Sequence, residues 1–205
     1  MKCRCELRLL CGALLLVLIS AMSGHAQFPA DGIQFLSQVE LSEMGGGRGS
    51  DLWGWTDPET DRDYALFGRS NGTSFVDVTD PVNPVYLGDL PTATGTTVWR
   101  DIKVYNDHAF IVSDQNGPHG MQVFDLTRLR GLAAPMTFAA DTTWDPLGFR
   151  SAHNIVINED SGYAYIVGST VAAGGLYMVD ISNPLAPTYP GEFAAAGYTH
   201  DAQAV

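Results

Sequence analysis

The stretch GGLYMVDISNP, Gly174 to Pro184, reads as a half-buried strand that runs into an Asn-Pro turn. It decides the fold because it recurs. GTSFVDVTDP (Gly72 to Pro81) and HGMQVFDLTR (His119 to Arg128) carry the same order of residue types. Each has a small or polar lead-in, an apolar strand, an Asp, a β-branched or Leu residue, then Ser or Thr. Copies of one supersecondary unit along a chain are the signature of a repeat architecture. Asp77, Asp125 and Asp180 hold one place in the unit, at intervals of 48 and 55 residues. Tyr64-Ala65, His108-Ala109 and Tyr163-Ala164 hold another. Such spacing is close to that of propeller blades, roughly 40 to 50 residues.

The strands around these anchors complete each unit. In the first, 51–91, DLWGWTD, YALFGR, TSFVDVTDP and VNPVYLGDLP are separated by the polar loop DPETDRD and by Ser70-Asn71-Gly72. Four strands with tight turns and no helical periodicity predict one antiparallel meander. The second unit, 98–141, has VWRDIKVY, HAFIVSD and GMQVFDLT, with MTFAAD expected as its fourth strand. The third, 151–194, has SAHNIVIN, YAYIVGS, LYMVDISNP and APTYPGEFA, and YTHDAQAV (198–205) opens a further copy. The segment 27–50 is a lead that contains an expected orphan strand, 33–41, and the Gly-rich connector EMGGGRGS. IQFLSQVEL resembles the fourth strand of a unit, which a closed ring would use to complete its last blade. The expected fold is therefore all-β, a β-propeller of four-stranded antiparallel blades. About three and a half blades are present, an open ring, so the chain is expected to be a fragment of a longer protein.

Residues 1–26 read as a secretory signal. Lys2, Arg4 and Arg8 precede the apolar run Leu9 to Ile19, and Gly24-His25-Ala26 places the cut between Ala26 and Gln27. Export to the outside or the cell surface is the expectation, with no membrane span in the mature part. All three cysteines, Cys3, Cys5 and Cys11, fall in this leader, so the mature chain has no disulfide, thiolate metal site or Cys nucleophile. A net charge of -12 argues against nucleic acid as a partner. With 45% hydrophobic and 17% charged residues, the chain has enough apolar content for a packed core.

The strands SFVDVTDP, QVFDLT and LYMVDISNP are similar to LVIVD repeats. The longer run from DLWGWTDPETDRDYALFGRSNGTSFVDVTDPVNPVYLGDLP through SAHNIVINEDSGYAYIVGS to YTHDAQAV resembles the bacterial secreted group called choice-of-anchor B proteins. That resemblance implies an extracellular β-propeller followed by one of several surface-sorting signals, and it implies no particular reaction.

Candidate chemistry lies where the copies differ. The first strands contain RDIKV, AHNIV and THDAQ. In a propeller the first strand of each blade lines the central channel. Asp101, His153, His200 and Asp201 are therefore expected to converge there, either as ligands of a divalent metal or as polar groups that satisfy one another. DPETDRD alternates carboxylates like a calcium loop, but Arg62 stands where that loop needs Gly, which favours a solvated hairpin. Asp77, Asp125 and Asp180 are expected to hold strand-to-turn junctions, since one chemical site needs no copy in every repeat. Trp53, Trp55 and Trp99 are either a sugar-stacking platform or packing, and His119 faces either a channel mouth or solvent. Two functions remain open: a binding scaffold for protein or glycan without catalysis, or a metal-dependent hydrolase-like enzyme with a His/Asp site in the channel.

Overall fold

The structure, a computed structural model, describes residues 31–146 and 148–205. The expected leader and the Ala26/Gln27 cut lie outside them. The chain divides into two units, 1–35 and 36–205; in the first, the described residues 31–35 form no strand or helix.

The second unit is all-β and built from three sheets. The first contains β1 (Gly49–Thr56), β2 (Asp63–Arg69), β3 (Gly72–Asp77) and β4 (Val85–Pro91), paired in chain order and antiparallel. The second has β5 (Arg100–Tyr105), β6 (His108–Ser113) and β7 (Met121–Asp125). After a two-residue strand, β8 (Met136–Thr137), the second sheet is completed by β9 (Thr142–Trp144). The third has β10 (Asn154–Asn158), β11 (Tyr163–Val167), β12 (Leu176–Asp180) and β13 (Thr188–Phe193). The inner strands β1, β5 and β10 lie side by side. These are open, propeller-like blades.

Local chemistry explains the meanders. The two-residue turn between β5 and β6 places Asn106 and Asp107 at φ 47° and 59°, the left-handed pair that suits the twist of a hairpin. Asp77, Asp125 and Asp180 hold the strand ends as expected. Each accepts the N–H two residues on, from Thr79 (3.0 Å), Thr127 (2.9 Å) and Ser182 (2.9 Å).

Two apolar layers lie between the sheets. Leu66, Phe75 and Leu90 of the first sheet meet Ile102, Ile111, Phe124 and Phe138. Phe75 stacks on Phe124 at 4.7 Å, with Phe138 edge-on to both. Such ring pairs are worth about 0.5–1.5 kcal/mol each beyond the area they bury. On the other side of the second sheet, Phe110, Val112, Met121 and Val123 meet Ile155, Ile166, Tyr177 and Val179. The alternation of strand side chains thus sends one face of the middle sheet to each neighbour.

Two expectations are corrected. Residues 33–41 carry no strand and join none of the three sheets. MTFAAD is not the fourth strand of the second unit. Its first two residues, β8, pair parallel with β4 of the first sheet, Gly88 opposite Met136 and Asp89 opposite Thr137. Gly88 permits this. Its φ is +131°, and a Cβ there would lie 1.9 Å from the Met136 carbonyl oxygen. No strand is assigned over 198–205.

Candidate functional site

The repeat register aligns Asp51, Asp101 and Asn154 of the inner strands with Asp201, preceded in turn by Ser50, Arg100, His153 and His200. The first set ties the units together. Asp51 Oδ2 accepts the Ile102 N–H at 2.8 Å, and Asp101 Oδ2 accepts the Ile155 N–H at 2.7 Å. Asn154 Nδ2 then donates to the His200 carbonyl at 2.8 Å. An inner strand has one edge without a sheet partner, so its N–H and C=O groups need acceptors and donors from elsewhere. The side chain of the preceding repeat supplies them.

This placement separates the four expected site residues. Asp101 is buried, with its remaining oxygen on the Ile102 N–H at 3.0 Å and on Lys103 Nζ at 2.5 Å. Burial raises its carboxyl above the usual carboxylate range, against the opposing pull of Lys103. Asp201 is exposed and accepts the Ala202 N–H at 2.8 Å. The two histidines do come together, ring centroids 4.3 Å apart. The carboxylate that meets His153 is Asp114, just past the end of β6, 3.0 Å from Nδ1. This contact leaves the other ring nitrogen, Nε2, as the site's available lone pair when the imidazole is neutral. Among the described residues no three His, Cys, Asp or Glu side chains gather into a group able to hold a metal ion.

Aromatic rings extend the pair into a row. Trp99, 48% exposed, lies 5.9 Å from His153, and Tyr198, 61% exposed, lies 6.5 Å from His200. Trp99, His153, Tyr198 and His200 all stand at or just before the start of an inner strand, or at its repeat-equivalent position. The three tryptophans are therefore no single platform. Trp55 is buried against Tyr64 at 5.0 Å and donates Nε1–H to Asp107 at 3.1 Å. Trp53 lies beneath Lys103 Nζ, 4.3 Å from the ring centre.

The acidic loop also has a structural use. Asp57 is fully buried and held by Arg130, with Nε at 2.8 Å and Nη2 at 2.7 Å. That guanidinium holds the Asp57 carboxyl well below the usual range. His119 faces neither solvent nor a channel mouth. It is fully buried, donates Nδ1–H to the Gly120 carbonyl at 3.0 Å, and accepts at Nε2 from Arg100 Nη1 at 3.1 Å. Burial pulls its pKa down to about 4, so the ring is neutral near pH 7.

Sequence reading missed Asp114, Trp99 as a neighbour of His153, and the buried Arg100–His119 pair. Position carried a signal for Asp114: it closes the second strand of its unit, where the other copies have Ser70 and Ser169.

Residues 149–194 match the family described as LVIVD repeat, a segment that coincides with the third sheet. Comparison with curated proteins and with solved structures returns no match.

Proposed function

We propose that this chain is an exported, propeller-like binding scaffold without catalysis. Its contact face is the row Trp99, His153, His200 and Tyr198, and its ligand is a glycan. One observation carries the reading: partly exposed aromatic and imidazole rings, drawn from successive repeats, line up at one end of the inner strands. Flat aromatic faces stack on the apolar faces of sugars, while imidazole nitrogens reach hydroxyl groups. Repeats that differ at one position on a common frame suit recognition, because the frame holds while the contact residues vary.

The test is binding of the purified chain to a panel of immobilised glycans. Wild type is expected to retain a subset, with Trp99→Ala and His200→Ala each losing tenfold or more and Trp53→Ala unchanged. Loss in Trp53→Ala alone, or retention of no glycan, overturns the reading; a peptide or protein ligand would then be sought on the same face.

A second reading keeps the cluster as a metal-dependent, hydrolase-like centre. The Asp114–His153 contact favours it, since a carboxylate at Nδ1 fixes the outer nitrogen as the ligand. Elemental analysis of the purified chain and of His153→Ala decides it: stoichiometric metal lost in the variant supports the centre, and equal trace content in both removes it.

A further inference from the structure

Among the described residues, two buried side-chain nitrogen or oxygen atoms lack a hydrogen-bond partner, and both belong to arginines: Nη2 of Arg100 and Nε of Arg69. The two residues are in contact, with Arg100 Nε donating to the Arg69 carbonyl at 2.7 Å. Arg69 is fully buried, and its guanidinium reaches the Gly46 carbonyl (2.9 Å), Asn71 Oδ1 (2.9 Å) and, at 3.2 Å, Asp89. Arg100 is 4% exposed. Its partners are a carbonyl and the neutral ring of His119, and it forms no ion pair with any described carboxylate. Two buried guanidinium groups therefore have a single carboxylate partner, Asp89, and it contacts Arg69 alone.

A buried charge is stable only when paired, and a buried N–H only when accepted. Water at Arg100 Nη2 would meet the second requirement and leave the first. An anion meets both. We propose that Arg100 Nη2 binds a small monovalent anion of chloride size, held between the first and second sheets. Arg69, whose carbonyl Arg100 Nε already holds, carries the other unpartnered donor, Nε. The pull on Arg100 agrees: burial first, and then the charge of Arg69, bring its pKa down to about 10, as expected of a cation short of negative charge. The site is independent of the glycan face, because neither arginine belongs to it.

The test uses the whole chain. Melting temperature is read at constant ionic strength as chloride replaces methanesulfonate. In wild type it is expected to rise with the logarithm of chloride once chloride exceeds its dissociation constant, the folded-to-unfolded ratio growing about 100-fold when chloride reaches 100 times that constant. Arg100→Met is expected to lose that dependence. Because Arg100→Met removes two hydrogen bonds and is at risk of misfolding, wild-type crystals grown in bromide supply a second reading, an anomalous peak beside Arg100 Nη2. Equal chloride dependence in wild type and Arg100→Met, or density at Nη2 without an anomalous signal, overturns the proposal in favour of water.

Discussion

Replacing Asp101 by Ala removes the acceptor of the Ile155 N–H, a group on the inner edge of β10 whose residue is 1% exposed. A buried donor left without an acceptor costs about 1–3 kcal/mol. The loss of the Lys103 contact adds little, since that ammonium still reaches the Ile102 carbonyl at 3.1 Å. A central value of about 2 kcal/mol corresponds to a melting temperature lower by about 4–8 °C for a chain of this size. The fold supplies its own control. Asp51→Ala removes the equivalent acceptor one repeat earlier, yet the Ile102 N–H keeps Asp101 Oδ1 at 3.0 Å. Its expected cost is below about 1 kcal/mol, because the donor stays satisfied. Urea unfolding followed by tryptophan fluorescence gives both values. Amide hydrogen exchange at Ile155 reports the local effect, with protection falling in Asp101→Ala and holding in Asp51→Ala. Equal losses in the two variants, or an unchanged Ile155 amide, would refute the view that these side chains tie one repeat to the next.

Other outcomes are equally definite. His119 is neutral in the fold down to about pH 4 and takes up a proton near 6.5 when unfolded. Its contribution is therefore complete above pH 6.5 and lost as pH falls toward 4, by roughly 3 kcal/mol in all; in His119→Gln that limb of the stability–pH curve should disappear. Gly88→Ala forces a side chain into the Met136 carbonyl at a left-handed φ, and should cost about 3 kcal/mol or more by urea unfolding. Arg130→Met strands the buried carboxylate of Asp57 and should lower the melting temperature by about 5 °C. Asp57 stabilises above the unfolded carboxylate pKa of 3.8 and loses that effect as pH falls toward its depressed folded value, so the variant should also show a shallower acid limb.

The strands were legible because their chemistry is local. SFVDV, QVFDL and YMVDI alternate toward two faces, and the Asp that ends each one accepts an N–H two residues away. What lies across a gap was not legible. Asp57 and Arg130 are 73 residues apart, and nothing in DPETDRD indicates which cation comes to it. Asp101 was read as a site residue for a sound reason, its place on an inner strand. The sequence does not show that the main chain of the next repeat needs that carboxylate. Asn154 teaches the same lesson from the other side: it replaces Asp in the series and meets a carbonyl where the others meet an N–H. His153 and His200 share one register position in successive copies, and their rings lie 4.3 Å apart. Asp114 was missed because it arrives on a different strand.

The backward pairing of β8 with β4 has a consequence for how these sheets can be taken apart. The polypeptide leaves the second sheet, lays two residues along the outer edge of the first, and returns to finish the second with β9. The Phe138 N–H continues the clasp onto the Asp89 carbonyl at 2.8 Å. The units are therefore not interchangeable cassettes. A graft that takes one unit without the other, cut between residues 91 and 98 where the repeat divides, would strip the first sheet of its outer border or leave the second with a dangling loop. Any scheme that lengthens or shortens this array by whole repeats must move the first two sheets as one piece.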